Sequence, residues 1–288
     1  MKRILLCCVV TLLAVLVRAE TDIIAALRAK AEAGDAVAQS NLGKKYFDGE
    51  GVPKNDVEAV KWFRIAAEQG LANAQSNLGV SYFNGWGVPK DYVEAAKWYG
   101  KAAEQGHAMA QFNLGASYAN GDGVLKNDVE AVKWFRLAAG QGDAAAQDSL
   151  GGSYTRGAGV PKDYVEAVKW YRLAAEQGYA EAQFNLGAAY ANGNGVPNDN
   201  AEAAKWYRKA AEQGHASAQY NLGLMYALGK GVIKDRVEAY AWIYIAGVLG
   251  EEDAKKNLAL FEKRLTKDQL AAANKLARER LEKFGEKK

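Results

Sequence analysis

Apolar and polar positions recur along the chain with one fixed step. A tryptophan stands at every thirty-sixth residue from Trp62 to Trp242, and a Leu-Gly pair keeps the same step from 42–43 to 222–223. A tyrosine repeats in the same way from Tyr46 to Tyr226. Six units therefore follow one another without an insertion, and self-similarity at such a period is typical of repeat architectures.

The first half of each unit has the pattern of an amphipathic helix. In the first unit, Ala38, Leu42 and Tyr46 lie four residues apart and share one helix face. Gly49 follows and ends the helix, because glycine adopts positive φ without steric cost. Pro53 shapes the turn, and all four prolines of the chain occupy this one position of the unit. A helix followed by a glycine turn is predicted.

The second half of each unit predicts another helix. It begins at Asn55, where Glu58 three residues later completes the signature of a capping box, and the five later units carry Asn or Asp followed by Glu at the same spacing. Trp62 lies on its apolar face, and Gly70 ends it. Alanine and glycine at the helix contacts allow close approach, so we expect the repeated Trp and Tyr rings to fill the core.

These elements predict an all-α fold: a right-handed α/α solenoid of six 36-residue helix-turn-helix repeats with capping helices at both ends. The N-terminal capping helix is placed at 20–33, and a half repeat with a C-terminal capping helix at 250–288, where Thr266 and Gln269 form a further capping box. The repeats are placed at 34–69, 70–105, 106–141, 142–177, 178–213 and 214–249.

The N-terminal segment departs from the repeat pattern. Lys2 and Arg3 precede an apolar run that is short for a membrane span, and small residues surround Arg18. Residues 1–19 are predicted to be a cleaved export signal, and an uncleaved anchor is the alternative. We expect an exported chain, periplasmic or secreted, without stable membrane insertion after cleavage.

Removal of that signal changes the composition. Cys7 and Cys8 leave with it, so no thiol or disulfide remains, and the 37 basic residues fall to 34, equal to the 34 acidic ones. A balanced charge without a basic run argues against a nucleic-acid partner. A monomer is expected.

The unit A…LG..Y..G.GV..(D/N)…A..W…AA..G resembles the Sel-one-like repeat, a relative of the tetratricopeptide repeat, over about residues 34–258. The resemblance implies a curved α-solenoid that acts as an adaptor for other proteins. Exported bacterial relatives include host-interaction factors and periplasmic regulators. Some exported relatives bind or hydrolyse β-lactams, so a cell-envelope hydrolase with a site assembled between repeats is the alternative function.

The residues offer little chemistry to such a hydrolase. No Ser-x-x-Lys motif is present, so no serine has the expected basic partner. His107 and His215 stand three repeats apart, too far to share a metal, and are interpreted as solvated helix-start residues. The loop at 120–128 faintly resembles a calcium loop, but its counterparts keep the glycines and lose the acids, which favours a turn. No catalytic residue, metal or cofactor is predicted.

A partner site is predicted on the first helices. Asparagine precedes the repeated leucine in every repeat except the fourth, where Ser149 stands. Its amide can donate and accept, which suits a peptide backbone; the alternative is that each asparagine holds neighbouring repeats in register. The residue before it varies, which suits selectivity. Trp86 lies outside the repeat pattern and is either an exposed contact or folded over its own loop. The predicted partner-binding residues are Asn41, Asn77, Asn113, Asn185, Asn221, Phe112, Phe184, Tyr220 and Trp86, and Asn257 continues the series.

Overall fold

The protein is described by a computed structural model that covers residues 22–285, so the predicted export signal lies outside the described residues. Within that range every regular element is an α-helix, which confirms the predicted all-α solenoid class. The helices are α1 (22–32), α2 (Ala36–Asp48), α3 (Asp56–Glu68), α4 (Ala72–Asn84), α5 (Tyr92–Glu104), α6 (Ala108–Asn120), α7 (Asp128–Gly140), α8 (Ala144–Arg156), α9 (Tyr164–Glu176), α10 (Ala180–Asn192), α11 (Asn200–Ala211), α12 (Ala216–Leu228), α13 (Arg236–Val248), α14 (Glu252–Glu262) and α15 (Lys267–Gly285).

The chain forms two compact units, Met1–Gln141 and Gly142–Lys288. Both units are built from the same pair of helices, the first carrying the Leu-Gly pair and the second carrying the tryptophan. Consecutive helices pack against each other from α2 to α7 in the first unit and from α8 to α14 in the second, and α15 packs against α13.

Small residues bring the two helices of a repeat together, as predicted. A Cβ atom on Gly79 would lie 2.6 Å from the ring of Tyr99, and one on Gly151 would lie 2.7 Å from the ring of Tyr171. The leucine before each of these glycines is fully buried. The helix axes can therefore approach closely only because this position lacks a side chain.

The predicted aromatic core is confirmed in part. The repeated tyrosines and three of the six repeated tryptophans are only half-buried, whereas the other three tryptophans are buried: Trp98, Trp206 and Trp242. The aromatic ring that follows the tryptophan in the first five repeats, such as Phe63, is buried as well. The tyrosines lie nearer the surface, where Arg64 and Arg208 donate to tyrosine hydroxyls 18 residues later at 2.7 Å.

Each second helix of a repeat forms one of the two hydrogen bonds of the predicted capping box. The Asn55 side chain accepts a hydrogen bond from the backbone N–H of Glu58, and the later Asn or Asp caps do the same. The reciprocal bond of a capping box is absent among these six helices, because the backbone N–H of each cap donates to a tyrosine carbonyl, as Asn55 does to Tyr46. Five of the six glutamates instead pair with lysines three residues later, and Glu238 pairs with Arg280. Within residues 22–285, both bonds form only at Thr266 and Gln269, as predicted there.

A ladder of buried glutamines joins consecutive repeats, and sequence reasoning did not predict it. Gln75 of α4 donates to the carbonyl of Ala67 on the preceding helix at 3.1 Å, and accepts from Gln105 at 2.7 Å. Equivalent pairs lie at 69/39, 141/111, 177/147 and 213/183. Within each unit, these buried amides thus fix the register of a repeat against the helix before it.

The ladder is incomplete at its last position. Gln219 is fully buried, and its Oε1 has no hydrogen-bond partner within the described chain. Leu249 stands where the other repeats provide the donating glutamine. We expect Leu249→Gln to raise the free energy of unfolding by about 1 kcal/mol, because it satisfies a buried acceptor. Urea denaturation of the variant would measure the gain.

Leu249→Asn is the matched control, because its amide is one methylene shorter. Equal stability of the glutamine and asparagine variants would contradict the proposed bond.

Candidate functional site

Three of the predicted partner-binding residues line one cleft in the first unit. Asn41 of α2, Asn77 of α4 and Trp86 of the following turn surround a cleft of about 410 Å³. Lys44, Asp48 and Asn73 add polar groups to its lining, and the apolar part consists of Phe47, Phe63, Val80 and Met109. The first helices of adjacent repeats thus bring amides and apolar side chains to a single concavity.

Trp86 is exposed in part, and it packs on the preceding repeat rather than over its own loop. Its ring lies against Phe47 of the preceding repeat, with ring centroids 5.2 Å apart and an interplanar angle of 51°. The residue nevertheless remains 40% exposed. A partly supported, partly exposed ring is held in place and can still contact a partner.

The asparagine series divides into two groups. Asn185 donates to Asp148 Oδ1 at 2.9 Å, and Asn257 donates to the Tyr220 hydroxyl at 2.7 Å, so these two join adjacent repeats. Among the described residues, the side chains of Asn41, Asn77, Asn113 and Asn221 have no hydrogen-bond partner. The register role therefore applies where the preceding repeat supplies an acceptor.

The variable aromatic residues are less accessible than Trp86. Phe112 is half-buried against Phe135, with centroids 5.9 Å apart, and Phe184 lies 5.8 Å from Tyr207. Tyr220 uses its hydroxyl to accept from Asn257. Phe112 and Phe184 thus pack within their own repeats, Tyr220 contacts the following half repeat, and each ring leaves only part of its surface for a partner.

A half-buried carboxyl group marks the fourth repeat, where the sequence reads AQDSLG. Burial raises the pKa of Asp148 to about 6, and the negative charge of Glu181 acts in the same direction. The hydrogen bond from Asn185 opposes this shift. The ionised form of Asp148 is therefore disfavoured in the folded protein.

The two histidines are helix caps, and their description as solvated is wrong in part. His107 and His215 precede α6 and α12, and each Nδ1 accepts a backbone N–H three residues later at 3.2 Å. Both are half-buried. His215 also stacks on Phe184, with centroids 4.7 Å apart, and its Nε2 lies 3.0 Å from Glu181.

The cap at His107 predicts a dependence of stability on pH. Burial lowers the pKa of His107, and the protonated ring could not accept from Ala110. The folded state thus binds this proton less readily than the unfolded state, whose pKa is about 6.5. The stabilisation by the neutral His107 cap is therefore complete above a pH of about 6.5 and is lost as the pH falls.

We expect His107→Asp to remove this dependence, because Asp35 and Asp143 cap the equivalent helices as carboxylates. The free energy of unfolding of the variant, relative to that of the unsubstituted protein, should rise by about 1 kcal/mol between pH 7 and pH 5. Urea denaturation would measure this difference. Parallel pH profiles of the two proteins would refute the assignment.

No group of three metal-ligating side chains lies close together in residues 22–285. In the same part of the chain, no helix has the length and apolar character needed to cross a membrane.

A family model describes the repeats directly. The Sel1 repeat model matches six consecutive segments, at 36–71, 72–107, 108–143, 144–179, 180–215 and 216–247. The chain belongs to the Sel1 repeat family. Sel1 repeat proteins are generally protein-interaction scaffolds, and the family is typically non-enzymatic.

Crystal structures of other Sel1 repeat proteins show the same likeness. A Sel1 repeat protein from Oxalobacter formigenes is 42% identical with a TM-score of 0.69, over 74% of this chain and 85% of that one. A protective antigen present in uropathogenic Escherichia coli strains, displaying an SLR fold, is 31% identical with a TM-score of 0.50, over 92% of this chain and 80% of that one. A comparison with curated protein sequences gave no match.

Proposed function

We propose that this Sel1 repeat protein is an exported scaffold that binds an extended peptide segment of a protein partner in the cleft of its first unit. The observation that carries the proposal is that the amides of Asn41 and Asn77 have no internal partner and line the same cleft as the exposed Trp86. An amide with its donor and acceptor both available suits a peptide backbone, which offers one of each per residue.

The apolar lining supports a side-chain subsite beside those amides. Phe47 and Trp86 form one wall, and Met109, which is 55% exposed, lies at the start of the third repeat. Tryptophan is enriched among residues that dominate binding energy, and methionine adapts to irregular apolar shapes. We infer that an aliphatic or aromatic side chain of the peptide enters here while its backbone lies along the asparagines.

The remaining predicted residues have a secondary place in the proposal. Asn113 and Asn221 have unpaired amides and extend the polar surface within their own units, and Phe112, Phe184 and Tyr220 offer part of a ring each. Asn185 is engaged with Asp148 and is proposed to act mainly on stability. The domain boundaries, the export signal, the periplasmic or secreted location, the monomeric state and the absence of nucleic-acid binding remain parts of this proposal.

We propose no catalytic activity. The hydrolase alternative requires a nucleophile with a positioned base. The basic and acidic residues of the cleft, Lys44, Asp48 and His107, form no hydrogen bond with a serine of the described chain. The Nδ1 of His107 already accepts the Ala110 N–H.

The test starts from peptides selected against the full chain from a random displayed library, with affinities measured by fluorescence polarisation. We expect Trp86→Ala to weaken binding by about 100-fold, as loss of a dominant interface residue does. Asn41→Ala with Asn77→Ala should weaken it by about tenfold without lowering the melting temperature, because these amides make no internal bond.

Asn185→Ala is the matched control, since it removes an asparagine at the same repeat position whose amide is already paired. We expect it to lower the melting temperature and leave peptide affinity unchanged. Unchanged affinity in the Asn41, Asn77 and Trp86 variants would refute the proposed site.

A further inference from the structure

A small cavity in the second unit is lined by cationic side chains. It has a volume of about 60 Å³ and lies where the sixth repeat meets the half repeat that follows it. Lys234, Arg236 and Arg264 are its polar lining residues, and Phe261 contributes an apolar surface. No carboxylate lines it.

The accumulation of charge is particular to this cleft. The cleft between the fourth and fifth repeats is formed by the equivalent positions of those repeats. There, Tyr164 and Asn192 stand at the positions of Arg236 and Arg264. Arginine at the position of Arg236 occurs in no other repeat, where Asp, Tyr or Asn stands. The fold therefore does not require two arginines at this point, and the neutral lining is sufficient for packing.

The cations have no counter-charge within the described chain. Neither Lys234, Arg236 nor Arg264 takes part in an ion pair among residues 22–285. The acids nearest to Arg236 in sequence are engaged: Asp235 accepts the backbone N–H groups of residues 237 and 238, and Glu238 forms two 3.0 Å bonds with Arg280. Glu262, two residues before Arg264, does not line the cavity and forms no ion pair with these cations.

The guanidinium of Arg236 also contacts the residue that bears the second one. Arg236 Nη1 donates to the backbone carbonyl of Arg264 at 3.3 Å. Cations that line one cavity repel one another, so an anion placed among them would be stabilised.

We propose that this cavity binds a phosphate group. Guanidinium groups match the oxygens of phosphate in a planar, bidentate geometry. The cavity is small, with a volume of about 60 Å³, which suits a small oxyanion. Three positive charges favour a dianion over a singly charged carboxylate. The site is independent of the peptide cleft of the first unit.

The proposal is tested by isothermal titration calorimetry on the full chain at pH 7.5 and constant ionic strength, with inorganic phosphate, sodium acetate and an acetylated, amidated Gly-phosphoserine-Gly peptide. Arg236→Tyr with Arg264→Asn places in this cleft the residues of the cleft between the fourth and fifth repeats. Lys30→Asn with Lys126→Asn is the control, because it removes the same charge in the first unit.

We expect phosphate to bind at least about tenfold more tightly than acetate, and the arginine variant to lose at least about tenfold in phosphate affinity while the lysine control stays within about twofold. Tighter binding of the phosphopeptide than of inorganic phosphate would place the phosphate on a partner, and the reverse order would indicate the free ion. Equal affinity for acetate and phosphate, or unchanged binding in the arginine variant, overturns the proposal. Arg264→Asn alone serves if the double variant does not fold.

Discussion

Replacing Gly123 by alanine is expected to lower the free energy of unfolding by about 4 kcal/mol or more, which is exceptional for a single methyl group. Gly123 has a φ of +72°, and a Cβ atom there would lie 1.9 Å from the backbone carbonyl oxygen of Tyr92 in the preceding repeat. A backbone atom at the start of a helix cannot move aside as a side chain can. The substitution must therefore separate two repeats or distort the turn.

Gly106→Ala is the matched control for this prediction. Gly106 also has a positive φ, of +87°, but a Cβ atom there would meet no atom within 4 Å. Alanine should cost about 1–2 kcal/mol at this position, the strain of the backbone conformation alone. Urea denaturation of both variants would separate strain from collision. Equal losses in the two variants would show that contact between the repeats does not constrain Gly123.

Asp148→Asn is expected to stabilise the protein by about 1–2 kcal/mol at pH 7.5, after allowance for partial solvent screening. Because burial raises the pKa of Asp148 to about 6, the folded protein binds this proton more readily than the unfolded chain. The stability contributed by the protonated Asp148 carboxyl is fully present below a pH of about 3.9, the pKa of an aspartate in the unfolded chain. It is lost as the pH rises through about 6. Asparagine can still accept the bond from Asn185 without carrying the charge.

The pH profile provides the decisive measurement. The advantage of Asp148→Asn should disappear at pH 4, where the aspartate in the folded protein is protonated. Glu181→Gln should give a smaller gain with the same pH trend, since the charge of Glu181 contributes less to the shift than burial does. A gain of the same size at pH 4 and pH 7.5 would indicate better packing and contradict the electrostatic explanation.

The repeat architecture could be predicted from the sequence because its determinants are local. Glycine is required where φ is positive, as at Gly49, and an Asn or Asp cap acts on a backbone N–H three residues away. Both signals act within a few residues, so their spacing in the sequence is their spacing in the structure. The 36-residue step then repeats them without change.

The contacts between repeats could not be predicted in the same way. Gln75 and Asn77 both recur from repeat to repeat in the sequence. In the structure, however, Gln75 is buried and pairs with a residue 30 positions away, whereas the Asn77 side chain has no partner within the described chain. The regular glutamine was nevertheless a signal, because an uncharged polar residue that never varies in a helix interior indicates a buried hydrogen bond.

The candidate site was predicted in part. The structure brings Asn41, Asn77 and Trp86 to one cleft, whereas Phe47 and Met109 are found beside them only in the folded protein. Asn185 and Asn257 differ from the other asparagines because the preceding repeat happens to present an acceptor, Asp148 or the Tyr220 hydroxyl. A property of the neighbouring repeat thus decides the role of the residue.

The glutamine ladder has a consequence for how such a gene can change. Every bond of the ladder joins positions 8 or 30 residues apart, and each repeat presents the same acceptor. Loss of residues 72–107 would bring Gln111 to the carbonyl of Ala67, which Gln75 occupied before. Unequal recombination that removes or duplicates one whole coding repeat would therefore leave the remaining ladder bonds intact. A deletion out of step with the period would break them. Descendants of one ancestral gene could differ in length by whole repeats and still fold.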